Sequence, residues 1–215
     1  MMIPGIGIGI GFGGAGASPA WLQSRLVARY GARLIDLRFD ALEAGGWPGR
    51  VGGTAAYSNG AAHFVVDAIN DRPAFITNGA QNALAVATSA PCQTAIVVVA
   101  ASATAATWET WVVGTGTSPR NIITRLAADV IYYNVANHYV DGVSSETVPT
   151  NGIHVVEGVS TAGSGITGAA WNNPSNPERF FAGKLGFSAL LSDTQSASER
   201  ADTVTDLQRY YRITV

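Results

Sequence analysis

Cysteine is almost missing from this chain: Cys92 is the only one in 215 residues. A single thiol excludes an intrachain disulfide and any metal site built from several thiolates. Cys92 follows Pro91 and precedes an apolar run, the setting of a small buried hydrophobe. Lysine is as scarce, with Lys184 alone among 13 basic residues; a GC-rich coding sequence explains that bias without any arginine-specific site. Charged residues make up only 13%, about half the usual fraction. The net charge is −2. No basic run or face is present, so nucleic acid is not an expected partner. No stretch of about 18 apolar residues is present, which leaves no membrane-spanning helix and no expected membrane partner. Met1 to Ile10 is apolar, but it has no positive start and alternates with glycine, unlike a secretory signal.

What is present is material for a core. Apolar residues reach 47%, and the length suits one domain plus a short appendage. Residues 1–19 form that appendage, an extended Gly/Ile-rich arm. Ile6, Ile8 and Ile10 alternate with Gly5, Gly7, Gly9 and Gly11, giving a strand with one sticky and one bare face. Left exposed, such a strand aggregates. The expectation is an arm that adds a strand to a partner through Ile3, Pro4, Ile6, Ile8, Ile10 and Phe12. A flexible leader, or a strand tucked into its own domain, is the plainer alternative.

Residues 20–215 read as a β-sandwich domain. A short helix over Pro19 to Tyr30 opens it, with Ser18 as cap and Leu22, Leu26 and Tyr30 as apolar stripe. Ala32 to Phe39 begins the sheet. Residues 44–62 are glycine-rich loop or weak strand. Further strands are predicted at Ala74 to Ile76, Ala83 to Thr88, Thr94 to Ala100, Trp108 to Val113, Asn121 to Leu126, Val130 to Asn134, around Tyr139, Gly152 to Val159, Ala169 to Trp171 and Gly183 to Leu191. Turn signals recur about every 8–12 residues, the pattern of an all-β sandwich. Thr94 to Ala100 is apolar throughout and predicts a strand covered on both faces. Leu185, Phe187 and Ala189 alternate with Gly186, Ser188 and Leu190, as in a half-buried strand. Ser192-Asp193-Thr194-Gln195 matches a capping box, and Ala197, Ala201, Val204, Leu207 and Tyr211 form the stripe of an amphipathic closing helix. Ser198, Glu199, Arg200, Asp202, Asp206 and Arg209 fill its polar face.

The order of these segments resembles the LamG-like, concanavalin A-like jelly rolls. Leu191 to Arg200 followed by Tyr211-Arg212-Ile213 is similar to the helix and tail that end such domains. Arg72 to Gly79, Thr94 to Ala100, Gly152 to Val156 and Phe180 to Leu185 are similar to their inner strands in the same order. The resemblance spans roughly residues 70–215. It implies a concanavalin A-like jelly roll with a short N-terminal and an amphipathic C-terminal helix. It decides function less, because that fold hosts lectins, hydrolases and structural modules.

Glucanases of that fold carry alternating carboxylates on one strand, since glycoside cleavage needs a pair of them. No such strand is present here. Asp36 and Asp40 share a parity but read as surface charges at a turn. His63, His138 and His154 are scattered, with no matching acid beside them in sequence. Ser192 lies in no nucleophile elbow. The expectation is a protein without catalytic activity and without a cofactor. A calcium site would draw on Asp141, Asn172, Asn173 and Asn176, a set with one acid only. Glycan binding would use Trp171, Asn172, Asn173 and Asn176, with Trp108 and Trp111 nearby.

Two functions follow. The first is a structural component of a virus particle, most plausibly of a tailed bacteriophage: a capsid decoration, head-fibre or tail protein located in the virion. It would be anchored to other virion proteins through residues 1–19, as a homo-oligomer for which a trimer is one candidate. The alternative is a lectin-like module for host-surface glycans.

Overall fold

The computed structural model describes residues 17–57, 64–77, 83–101, 108–115, 120–126, 135–149, 152–160, 168–171 and 183–214. Helix α1 spans Pro19–Tyr30, and a turn of 3-10 helix, Gly31–Arg33, leads into β1, Leu34–Arg38. Then follow β2 (Ala56–Tyr57), β3 (Phe64–Ile69), β4 (Arg72–Thr77), β5 (Leu84–Ala87), β6 (Thr94–Ala101), β7 (Trp108–Thr115), β8 (Arg120–Leu126) and β9 (Val135–Val140). The chain continues with β10 (Val143–Ser144), β11 (His154–Ser160), β12 (Gly168–Trp171), β13 (Gly183–Leu191) and α2 (Ala197–Tyr211). The fold is an all-β sandwich with two helices, as the sequence predicts.

One sheet runs β10-β9-β11-β6-β13-β4-β3, with β1 also paired to β13; the other runs β2-β5-β12-β7-β8. The described pairings are antiparallel. Two cores sit on opposite faces of the larger sheet. Between the sheets lie Trp47, Phe75, Val97, Val99, Trp111, Trp171 and Leu185. On the outer face, Leu22, Leu26, Val98, Phe187, Leu207 and Tyr210 join the sheet to α1 and α2. The molecule is therefore three layers, helices on sheet on sheet. This explains the unbroken apolar run of β6: Ala95, Val97 and Val99 face the inter-sheet core, Ile96 and Val98 the helices.

The strand β13 departs from simple alternation. Its register against β6 shifts between Leu185 and Phe187, so Gly186 sits in a bulge. Leu185 consequently faces the second sheet while Phe187, Ala189 and Leu191 face the helices. The strand is buried rather than half-buried.

The closing helix starts four residues later than the Ser192 box predicts. Its cap is Ser196, whose hydroxyl accepts from the Glu199 amide at 3.2 Å while the Glu199 carboxylate accepts from the Ser196 amide at 2.8 Å. The Ser192 amide instead donates to the Arg33 carbonyl at 2.9 Å, and Gln195 is buried. Arg200 and Asp206, expected on the solvent face, are also buried. Two Arg200 bonds, 2.6 and 3.1 Å, hold the Glu157 carboxylate. Asp206 accepts from Arg29 at 2.6 Å and from Arg25 at 3.3 Å. Paired in this way, these charges tolerate removal from water.

Asp36 is not a surface charge either. It is 1% exposed and Arg38 is fully buried. The Arg38 guanidinium donates to both Asp36 oxygens at 2.8 and 2.5 Å, to the Gly53 carbonyl at 2.6 Å and to the Trp47 carbonyl. Its carbon lies 5.0 Å from the centre of the Trp171 ring. This arginine ties the glycine-rich loop across the sandwich. Burial pushes the Asp36 carboxyl up to about 6, against the opposing pull of Arg38.

Candidate ligand-binding site

Among the described residues, a polar cavity with room for a ligand forms where four segments meet at one end of the larger sheet. The first is the hairpin between β9 and β10. Asp141 and Gly142 hold φ of 51° and 84°, the left-handed pair that a tight Asp-Gly hairpin requires. The second is the start of β11, where His154 pairs with Val99. Asp141 clamps that start: its amide donates to the Val155 carbonyl at 2.8 Å, and its Oδ1 accepts from the Val155 amide at 2.9 Å. Its Oδ2 lies 2.7 Å from His154 Nδ1.

The third segment is the turn between β3 and β4, where Asn70 and Asp71 also hold left-handed φ of 47° and 64°. Asn70 Nδ2 donates to the carbonyls of Tyr211 at 2.9 Å and Arg212 at 3.2 Å, capping the last turn of α2. The fourth is Ile213 and Thr214, held by the Ile213 amide on the Gln208 carbonyl at 2.9 Å. Asn70, Asp141, Gly152, Ile153, His154, Ile213 and Thr214 line an open cavity of about 390 Å³.

A carboxylate can only accept, so the Asp141 contact places a proton on His154 Nδ1; in the neutral ring Nε2 is then the acceptor. The Asp141 and His154 side chains are 26% and 14% exposed. A Cβ on Gly152 would stand 3.4 Å from Nε2. Asn70 has both amide hydrogens placed on carbonyls, which turns its Oδ1 into the remaining acceptor. Ile153 and Ile213 supply apolar wall. Such a set has the chemistry to hydrogen-bond the hydroxyls of a small ligand over an apolar floor.

A second polar cluster lies under α2, where Tyr139, Glu157, Gln195, Arg200 and Thr203 enclose a space of about 10 Å³. That holds at most a water. Tyr30 donates to Gln195 and contacts Thr203 at 2.5 Å, and burial pushes its phenol up to about 12. This cluster joins helices to sheet.

The residues singled out in the sequence fall elsewhere. Trp171 is fully buried; its indole donates to Ser188 Oγ at 2.9 Å and its ring meets Trp47 edge-on at 5.3 Å. It offers no face to a glycan, because the inward side of β12 packs against the larger sheet. Trp111 is buried too, and the side chain of Trp108 lies outside the described residues. Asn172, Asn173 and Asn176 lie outside them as well, as do His63, Val130 to Asn134, and Ile3, Pro4, Ile6, Ile8, Ile10 and Phe12. Asp141, considered for calcium, has each carboxylate oxygen bonded within the protein. Among the described residues no three His, Cys, Asp or Glu side chains converge on a metal-sized site. His154 does have a matching acid. The sequence hides it because Asp141 lies 13 positions away, across the β9–β11 pairing.

No family model matches the chain, and no curated protein matches it in sequence. Solved structures of a sialidase from Trypanosoma rangeli are similar to it in fold. The complex with 2,3-difluorosialic acid has a TM-score of 0.57 at 11% identity, over 82% of this chain and 33% of the sialidase. The complex with the inhibitor DANA scores 0.52 at 10% identity, over 80% and 32%. A mutant displaying trans-sialidase activity scores 0.52 at 11% identity, over 86% and 34%. The chain thus spans about a third of the length of the sialidases it matches. At this identity the likeness carries the fold alone. It corrects one expectation: this fold occurs within an enzyme's chain, so the missing carboxylate strand is no ground for calling the protein non-catalytic. A jelly-roll-like sandwich is what chain and neighbours share.

Proposed function

We propose that this chain is a carbohydrate-binding β-sandwich module. The observation that carries the reading is the open cavity of about 390 Å³ in which Asn70, Asp141 and His154 converge beside Ile153 and Ile213. Its volume falls within the about 300–1,000 Å³ usual for small-ligand sites. The LamG-like order of strand motifs and the sialidase neighbours support the same reading at the level of fold. One neighbour holds 2,3-difluorosialic acid, but a carboxylate on the cavity wall disfavours an anionic sugar. Neutral hexoses, whose paired hydroxyls can donate to Asp141 and Asn70, suit it better. A glycan array probed with the whole chain tests this. Micromolar to millimolar binding confined to neutral sugars is expected, and a flat response across the array ends the reading.

A second reading has its own support. Ala17 is buried against the helix layer, and its carbonyl accepts from Arg72 at 2.7 Å, so residues 1–16 leave from a fixed point on the domain. That suits an arm that docks on a neighbour, in a homo-oligomeric component of a tailed-bacteriophage particle. Mass spectrometry and cryo-EM of particles from the source of this gene test it. The chain should be present at symmetric stoichiometry, and deletion of residues 1–16 should abolish incorporation; full occupancy by the truncated form contradicts it.

A further inference from the structure

The larger sheet ends at β3 with an edge that the described residues leave unpaired. Register places Val99, Leu185, Phe75 and Val66 in one row across β6, β13, β4 and β3. The first three lie in the inter-sheet core, whereas Val66 is 57% exposed. Beside it Val65, pointing to the other face, is 43% exposed. Apolar side chains therefore stand open on both faces of an edge strand, the arrangement that recruits another strand. The one acid on β3 does not guard it, since Asp67 is held by Lys184 at 3.1 Å.

Ala17 lies in the outer-face core together with Ile69, the last residue of β3. The Ala17 carbonyl is held by Arg72, and Arg72 pairs with Ile69. The preceding 16 residues carry the Ile/Gly alternation of Ile6, Ile8 and Ile10, and β3 is about 20 Å long at ~3.3 Å per residue. The arm of the same chain, entering directly from Ala17, would run parallel to β3. The described pairings of the sheet are all antiparallel, and sheets of one sense are favoured over mixed ones. An arm from a second copy can approach in the antiparallel sense.

We infer that residues 3–12 of a second copy add to the β3 edge as a further antiparallel strand, so that Val66 docks beside the Ile6, Ile8 and Ile10 face and Val65 lies on the face that carries the arm's glycines. The inference rests on the arm reading and names its dock. Cys92 is buried and leaves engineered thiols unambiguous. One copy carries Val66→Cys; a differently sized copy carries Ile6→Cys, Ile8→Cys or Ile10→Cys, one at a time. Mixing and mild oxidation should give a disulfide between the two copies for at least one arm position, and none after deletion of residues 1–16 from the arm donor. Light scattering should show the deleted protein falling to monomer. A disulfide formed only within a chain carrying both cysteines, at any dilution, overturns the inference in favour of self-docking. A Val66→Cys homodimer that survives the deletion overturns it in favour of direct β3–β3 pairing. Absence of any cross-link overturns it too, and does so even if the truncated protein fails to enter particles, which would leave the particle reading standing.

Discussion

The Tyr211 hydroxyl donates to the carbonyl of Gly186 at 2.5 Å, joining the last turn of α2 to the bulge that turns β13 over. Tyr211 is fully buried. A Cβ on Gly186 would lie 3.0 Å from Tyr211 Cε1, 3.2 Å from its hydroxyl and 3.2 Å from the Pro73 carbonyl oxygen. Neither a packed ring nor a strand carbonyl can yield cheaply. Gly186→Ala is expected to cost about 1–3 kcal/mol, and Tyr211→Phe about 1 kcal/mol. Urea unfolding reads both, and an unchanged Gly186→Ala midpoint refutes the packing argument.

Arg38 anchors the loop between β1 and β2 from inside the sandwich. Arg38→Met leaves Asp36 buried without its partner, at a cost of about 3–5 kcal/mol. Asp36→Asn with Arg38→Met should lose clearly less than the sum of the single changes, because the pair acts as a unit. Additive losses in a double-mutant cycle would mean that the two side chains are not coupled.

Cys92 lies in the inter-sheet core at 3% exposure, and burial, helped by the Asp36 charge, pushes its thiol up to about 12. The thiolate is the reactive form. An aromatic disulfide reagent at pH 8 should therefore label the native protein only at the rate of its unfolding, and label it at once in urea. Immediate labelling without denaturant contradicts the burial.

Glu199 carries a pH dependence with a definite sign. The Arg33 guanidinium, followed by the Ser196 amide, holds its carboxyl below the ordinary 4.5. A depressed carboxyl stabilises the fold above its unfolded value and loses that contribution as pH falls through the folded value. The stability gap between wild type and Glu199→Gln should be full near pH 7 and close below about pH 4.5. Equilibrium unfolding at stepped pH checks this; a gap that does not shrink at all as pH falls below 4.5 contradicts it.

Much of the scaffold was legible because local chemistry dictated it. Ser18 and Pro19 set the start of α1, and the apolar run of β6 announced cover on both faces. The strand β3 was not legible, because Val65 and Val66 face solvent and Pro73 blurs the strand that follows. Two boxes four residues apart, Ser192-x-x-Gln195 and Ser196-x-x-Glu199, fit a helix start equally well. The bonds from the Ser192 amide to Arg33 and from the Tyr30 hydroxyl to Gln195 exclude the first. Arg200 and Asp206 looked like solvent charges because their partners, Glu157 and Arg29, are far away in sequence. The cavity was hidden for the same reason: its residues come from four segments, and only strand register brings Asp141 to His154.

The most direct test of glycan binding follows backbone amide shifts while the best array sugar is titrated into wild type and into Asp141→Asn. Asparagine keeps the left-handed turn and the shape of the wall but removes the charge. The account predicts that shifts cluster at Asn70, Asp141, Ile153, His154 and Ile213, and that the substitution weakens binding by about tenfold or more, the loss of one charge-assisted hydrogen bond. Shifts confined to another face, with unchanged affinity in Asp141→Asn, would contradict it.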